Sequence, residues 1–257
     1  MAESDERAAH REALHFALSA VASSERAEWL MLRGSALMSN WYPTEAREPG
    51  DLDFVVFSAD WKVDDAGEFL EHVAQAAEQL SKTSPGRVRI DAAGARTQGI
   101  WEYDRAPGRR LTMPFAIDGQ HVGDVQLDFV FGETLTSEPE RGEITLSDQH
   151  PGVSLLIAPK SISLAWKLSW LLVDYYPAAK DLYDAVLLAE DDSLDRLELR
   201  KTLLEVFEHL GDDRTDAMND LDEIDAEPDW SELQRVHPNI RGTADEWLRR
   251  LIAALKR

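Results

Sequence analysis

Cysteine is absent from the 257 residues, which excludes disulfide scaffolds, thiol nucleophiles and cysteine-ligated zinc or iron–sulfur centres. The seven histidines do not fill the gap: none lies in an HExxH pattern or at paired zinc spacing, and no role is expected for them. Long uncharged apolar runs are also missing. The best candidate, SISLAWKLSWLLV from Ser161 to Val173, falls short of the roughly 20 residues that span a bilayer and is broken by Lys167. The early run ALHFALSAVA follows the acidic ESDER and not a basic segment, so no secretory leader is expected, no membrane association, and a cytoplasmic location.

Positive charge is scarce as well. Lys and Arg number 27 against 49 Asp and Glu, a net charge of -22, which at first sight disfavours a polyanionic partner. The excess is regional, however. Glu190 to Glu232 holds 17 acidic residues against 4 basic ones, whereas Lys82 to Arg110 holds 7 basic against 3 acidic. The latter stretch is either a phosphate-facing surface or a solvated face laced with ion pairs. The acidic GDDRTDAMNDLDEIDAEPD lacks a calcium-loop pattern and reads as solvated helix and linker.

What is present is a clear change of period along the chain. Leu14, Phe16, Ala17 and Val21 have helical spacing, EWLMLRGS reads as a buried strand entering a tight turn, and SALMSNWY as a short helix from Ser35. PTEAREPG is loop, DLDFVVF a strand, and DDAGEFLEHVAQAAEQLSK a helix that buries Phe69, Leu70, Val73, Ala77 and Leu80. Period two then takes over in TQGIWEY, RLTMPFAI and HVGDVQLDFVF, divided by turn signals at APG and DGQ. Beyond Pro159 the pattern is helical again in KSISLAWKLSWLLVDYY, AAKDLYDAVLLAE, SLDRLELRKTLLEVFEHL and ADEWLRRLIAALK. The expected class is α+β: a mixed sheet with helices over residues 1–150, then a helical lobe over 151–257. The eight tryptophans, Trp29 and Trp41 among them, are expected in the core or between lobes.

Chemistry concentrates at a few acidic residues. Side chains alternate along a strand, so Asp51 and Asp53 project together while Leu52 and Phe54 face the core. In VQLDFVF, Val125, Leu127, Phe129 and Phe131 take one face and leave Asp124, Gln126 and Asp128 on the other. Three carboxylates on adjacent strands suit a hard cation such as Mg²⁺. The plainer alternatives are a strand cap at Asp51 and a solvent-exposed residue at Asp128. Lys167, among Leu164, Ala165, Leu168, Leu171 and Leu172, is by itself a lysine that extends its amine to water from an apolar helical face. Asp181 and Asp184 share a face of the next helix.

Taken together, Gly34-Ser35, a helical spacer, Asp51-Leu52-Asp53 in an apolar strand and a later Leu127-Asp128-Phe129 resemble the polymerase-beta-type nucleotidyltransferase superfamily. Arg47 before Asp51, and LAWKLSWLL followed by AAKDLYDAVLLAE, are similar more narrowly to the AbiEii-type nucleotidyltransferases, toxins of type IV toxin–antitoxin systems. The resemblance runs from about Leu30 to Glu190 and implies a nucleotidyltransferase-type sheet followed by the helical lobe. It also implies roles. Gly34 and Ser35 would cradle the phosphates of an NTP, Asp51, Asp53 and Asp128 would hold one or two Mg²⁺ ions, and Arg47 and Lys167 would neutralise phosphate charge. Asp181 would orient the lysine or the acceptor, while Asp184 would cap or brace the helix pair.

By the same resemblance the reaction moves an NMP from an NTP to an acceptor hydroxyl, the acceptor being the 3′ end of tRNA, and the partner is a winged-helix antitoxin. The chain departs from the family pattern at Pro49, where Thr is common, at Trp166, where Glu is common, and ahead of Lys180-Asp181, where a further basic residue is common. These departures bear on the acceptor and spare the carboxylates. A protein or small-molecule acceptor, and a non-catalytic binding protein of the same fold, remain alternatives.

Overall fold

The computed structural model describes residues 3–102, 106–133, 135–173, 177–209 and 229–257. It divides into two compact units, the first built from Met1–Thr44, Glu48–Leu135 and Pro139–Ile157, the second from Glu45–Arg47, Thr136–Glu138 and Ala158–Arg257. Most of GDDRTDAMNDLDEIDAEPD lies outside the described residues.

The first unit is one eight-stranded mixed sheet with helices. Its helices are α1 (Glu3–Ala22), α2 (Ser35–Trp41) and α3 (Ala66–Thr83). Its strands are β1 (Leu30–Arg33), β2 (Leu52–Val56), β3 (Val88–Ile90), β4 (Arg96–Glu102), β5 (Ala106–Ile117), β6 (Gln120–Phe131), β7 (Glu140–Ile144) and β8 (Val153–Ile157). The strand order is β3-β5-β6-β2-β1-β8-β7, with β4 also on β5; β2 runs parallel to β6 and β1 parallel to β8, and all other pairs are antiparallel. The α+β class expected from the change of period is the one observed.

The local reasons are simple. β1 has every residue buried and lies inside the sheet, paired with β2 on one edge and β8 on the other, as a strand covered on both faces does. In β2, Leu52 and Phe54 are fully buried while Asp53 between them is not, as alternation requires. Phe54 stacks on Phe129 at 5.1 Å, and Phe69 of α3 meets Phe129 edge-on at 5.5 Å, so the apolar face of β2 and β6 is covered by α3. The aspartates therefore occupy the opposite face.

β5 and β6 join through Asp118-Gly119, both at positive φ (50° and 79°), the two-residue hairpin turn that the Asp-Gly pair favours. The expected turn at APG is corrected: Ala106, Pro107 and Gly108 already belong to β5, opposite Glu102, Trp101 and Ile100. Trp29 also departs from expectation. It lies in a single 3₁₀ turn before β1, 46% exposed, with its ring tilted against Phe57.

α1 carries a histidine that pattern reading left without a role. His15 stacks on His150 with centroids 4.5 Å apart, and His150 Nε2 lies 3.3 Å from Glu12 Oε1. Burial, and secondarily the neighbouring His150, push the His15 pKa down to about 4 from its ordinary value of 6.5. Its Nδ1 is buried with no hydrogen-bond partner among the described residues. His15 is thus held neutral in the fold while the unfolded chain takes up a proton below pH 6.5. The stabilisation is full above pH 6.5 and is lost as pH falls from there toward 4, by roughly 1–2 kcal/mol after allowance for solvent screening. Urea midpoints measured across that window should fall in the wild type and fall less in His15→Gln.

The second unit is helical: α4 (Lys160–Val173), α5 (Ala179–Ala189), α6 (Arg196–His209), α7 (Trp230–Val236) and α8 (Ala244–Leu255). α4 packs on α5 and α6, and α5 packs on α7 and α8. Thr243 and Glu246 close a capping box at the start of α8, and Asp229 caps α7 by accepting from the Glu232 backbone N–H. Trp247 gathers Tyr183, Trp230 and the Arg250 guanidinium, the last 4.0 Å above its ring. Among the described residues no helix is long and apolar enough to cross a membrane.

Candidate active site

The residues singled out in sequence fall into two sets, one in each unit. In the first, β1 ends at Arg33 and the chain turns through Gly34 at φ 82° into α2. A side chain is disfavoured here twice over: the φ suits glycine, and a β-carbon would overlap the Asp53 carboxylate. Ser35 is buried at the first position of α2 and donates its hydroxyl to Asp51 Oδ1 at 3.2 Å. Gly34, Ser35, Asp51 and Asp53 therefore form one local group, because the antiparallel pairing of β1 and β2 sets the end of β1 against the start of β2.

Asp128 joins this group through the sheet. β2 and β6 pair in parallel with Asp53 directly opposite Asp128, so the two side chains leave the same face of neighbouring strands. Asp128 is 4% exposed, which removes the reading of a solvent-exposed strand residue. A buried carboxylate needs compensation, and Arg110 on β5 supplies it with a two-pronged bond, Nε to Oδ1 at 2.8 Å and Nη2 to Oδ2 at 2.6 Å. Gln126 Nε2 donates to Oδ2 as well, at 3.3 Å.

The basic stretch that contains Arg110 is largely ion-paired. Arg87 pairs with Asp118, Arg96 with Asp124, Arg109 with Asp64 and Lys82 with Glu78, while Arg105 lies outside the described residues. The ion-pair reading of that stretch is thus the one its geometry favours.

The second set lies wholly in the helical unit. Lys167 does not reach for water: it is 6% exposed, and its amine sits 3.0 Å from both Asp181 Oδ1 and Asp184 Oδ2. Arg47, held in this unit with Glu45, makes a second fork onto Asp184, Nε to Oδ1 at 3.1 Å and Nη2 to Oδ2 at 2.7 Å. The Tyr183 hydroxyl donates to the Glu45 carbonyl and ties the same short segment to α5. Burial opposes the charge on Asp184, yet Lys167 and Arg47 outweigh it and hold that carboxyl well below its ordinary value. Burial likewise works against the Lys167 ammonium, but Asp184 and Asp181 raise its pKa overall. Lys167 is accordingly a fixed cation at neutral pH and not a proton acceptor.

Asp184 is fully buried at the centre of this cluster, a position that spacing on α5 did not reveal; the signal available in sequence was only its shared face with Asp181. Arg110 was visible in sequence only as one basic residue among several.

Among the described residues, no three Asp, Glu or His side chains are gathered closely enough to hold a metal ion. Asp51 and Asp128 are instead engaged by Ser35 and Arg110. In donor chemistry the site nonetheless fits Mg²⁺: all its candidate ligands are hard carboxylate oxygens, two of them opposite one another on paired strands and a third two residues upstream.

A glycine turn entering a helix, with aspartates in register on the neighbouring parallel strands of a mixed sheet, agrees with the nucleotidyltransferase-type sheet that the resemblance implies. The family model described as nucleotidyl transferase AbiEii toxin, type IV toxin–antitoxin system, matches residues 17–251. The chain belongs to that family, whose members are nucleotidyltransferase toxins with an antitoxin as partner. No curated protein matches the chain.

Proposed function

We propose that the protein is a Mg²⁺-dependent nucleotidyltransferase that moves an NMP from an NTP to an acceptor hydroxyl, with the 3′ end of tRNA as acceptor and a winged-helix antitoxin as its restraint. The observation that carries the reading is the direct opposition of Asp53 and Asp128 on β2 and β6. Two carboxylates facing each other across a strand pair repel, and such pairs gather at sites where a cation binds, beyond the compensation that Arg110 gives Asp128. Asp51, Asp53 and Asp128 are the residues that would hold Mg²⁺, which when bound supplies charge neutralisation to the entering and leaving oxygens.

The chain's own groups account for the rest. Gly34 lets the backbone approach the triphosphate without a β-carbon in the way, and the Ser35 hydroxyl exchanges its bond with Asp51 for a phosphate oxygen. The acceptor oxygen forms a bond to the α-phosphorus, the bond from that phosphorus to the bridging oxygen breaks, and pyrophosphate leaves with the electron pair. The acceptor's proton is released to solvent. Lys167 and Arg47, both permanent cations, are assigned to phosphate charge by the family resemblance, and Asp181 and Asp184 fix their positions.

One observation favours a second reading of the acceptor. Paired arginines on a strongly acidic chain offer a polyanion little, so a protein or small hydroxylated molecule is the rival substrate. Incubation with Mg²⁺, each α-labelled NTP, total RNA and total protein separates the two. Label in tRNA-sized RNA supports the first reading; label confined to protein or to small molecules replaces it with the second.

A further inference from the structure

The carboxylate pair is part of a longer row. Arg33 on β1 stands opposite Asp53 on β2, Asp53 opposite Asp128 on β6, and Asp128 opposite Arg110 on β5. Directly opposed residues on neighbouring strands project from the same face, so four adjacent strands present cation, anion, anion, cation in sequence. The two flanking arginines differ in exposure. Arg33 has 5% of its side chain exposed and is locked by Nη1 onto both oxygens of Glu133, at 3.0 and 2.7 Å. Arg110 keeps 31% of its side chain exposed while its fork closes on both oxygens of Asp128.

That fork conflicts with a divalent ion. A guanidinium beside the carboxylate repels a second cation and fixes both Asp128 oxygens in a plane suited to N–H donors. Resting on the metal-site reading above, we propose that Arg110 is an exchangeable counter-ion: it stands on Asp128 in the nucleotide-free chain, yields Asp128 to the divalent ion, and moves to an anionic phosphate oxygen of the nucleoside triphosphate. Arg33 stays on Glu133 throughout and keeps its place opposite Asp53. The exchange couples the two ligands: metal binds weakly until a triphosphate arrives to take the guanidinium.

The test uses the full chain with Mn²⁺ as probe, titrated without nucleotide and followed by calorimetry and by the electron paramagnetic resonance of free Mn²⁺. Arg110→Gln, which keeps a neutral donor for Asp128, should bind Mn²⁺ about tenfold more tightly than wild type, as expected for removal of one partly exposed like charge. Its KM for NTP should rise by a similar factor. Arg110→Lys, which breaks the fork and keeps the charge, should fall between the two, and it carries the test if the glutamine variant fails to fold. Mn²⁺ affinity unchanged or weakened in these variants overturns the exchange. Asp53→Asn separates the causes. If it abolishes wild-type Mn²⁺ binding while the Arg110 variants bind no tighter, only the exchange fails. If it leaves Mn²⁺ binding untouched, the metal-site reading fails with it.

Discussion

Replacing Asp53 by asparagine should lower the rate of nucleotidyl transfer by roughly 10²–10³-fold, the scale seen when one electrostatic partner of a reacting group is removed. The same change should move the melting temperature little, because it removes the repulsion from Asp128 and the attraction to Arg33 together. Asp53 faces Asp128 across paired strands, and like charges placed opposite one another are destabilising. A neutral amide of the same shape removes the repulsion and still fits beside Gly34, where an added β-carbon does not. Activity and stability therefore move independently at this position. A residue whose role was only to hold β2 in place would lose both together, so thermal melts beside the rate measurement distinguish the two.

The converse pattern is expected at Lys167. Changing it to methionine leaves Asp181 and Asp184, both nearly inaccessible to water, with Arg47 as the cation still bonded to Asp184. Removing one member of a buried ion cluster uncovers the charge of the others, and the helical unit should lose about 3–5 kcal/mol. The pH dependence gives an internal check. Asp184 is held below its unfolded value of 3.8, so its stabilising contribution is present above that value and is lost as pH falls through the folded one. The gap between wild type and Lys167→Met should accordingly be wide at pH 7 and close as the solution is acidified below about pH 4. Denaturation followed by tryptophan fluorescence measures it, since Trp166 and Trp170 flank the site on α4 and the Lys167 amine lies 5.7 Å from the Trp170 ring.

The elements legible in sequence were those whose signal is local. α1, α2, α3 and the strand DLDFVVF follow from period, and the Asp118-Gly119 hairpin from turn chemistry. β3, β7 and β8 are hard to read because they are only three to five residues long: β3 and β8 do alternate, burying Val88 and Ile90, and Leu155 and Ile157, but over too few residues to stand out as a period. The end of the meander before β5 was misplaced because Pro107 and Gly108 read as a turn, although a strand tolerates them where pairing permits.

The same contrast governs the site. Gly34, Ser35, Asp51 and Asp53 lie within one β1–α2–loop–β2 segment, so their grouping could be read from neighbouring sequence. That Asp128 stands opposite Asp53, Arg110 opposite Asp128 and Arg33 opposite Asp53 depends on strand register between distant segments, which no short window contains. The enclosure of Lys167 was hidden for a related reason. Its helix advertises an apolar face, and only the packing of α4 on α5, with the Glu45–Arg47 segment in the same unit, shows which charges meet it.

The central claim is that the acidic pair on β2 and β6 serves transfer of a nucleotidyl group. Its most direct measurement compares NTP labelled at the α-phosphorus with NTP labelled at the γ-phosphorus, in the presence of Mg²⁺ and cellular RNA and protein. The expected result is α-label in the acceptor and γ-label released as pyrophosphate, with both signals lost in Asp53→Asn. Transfer of γ-label to the acceptor, or no consumption of any of the NTPs, would contradict it.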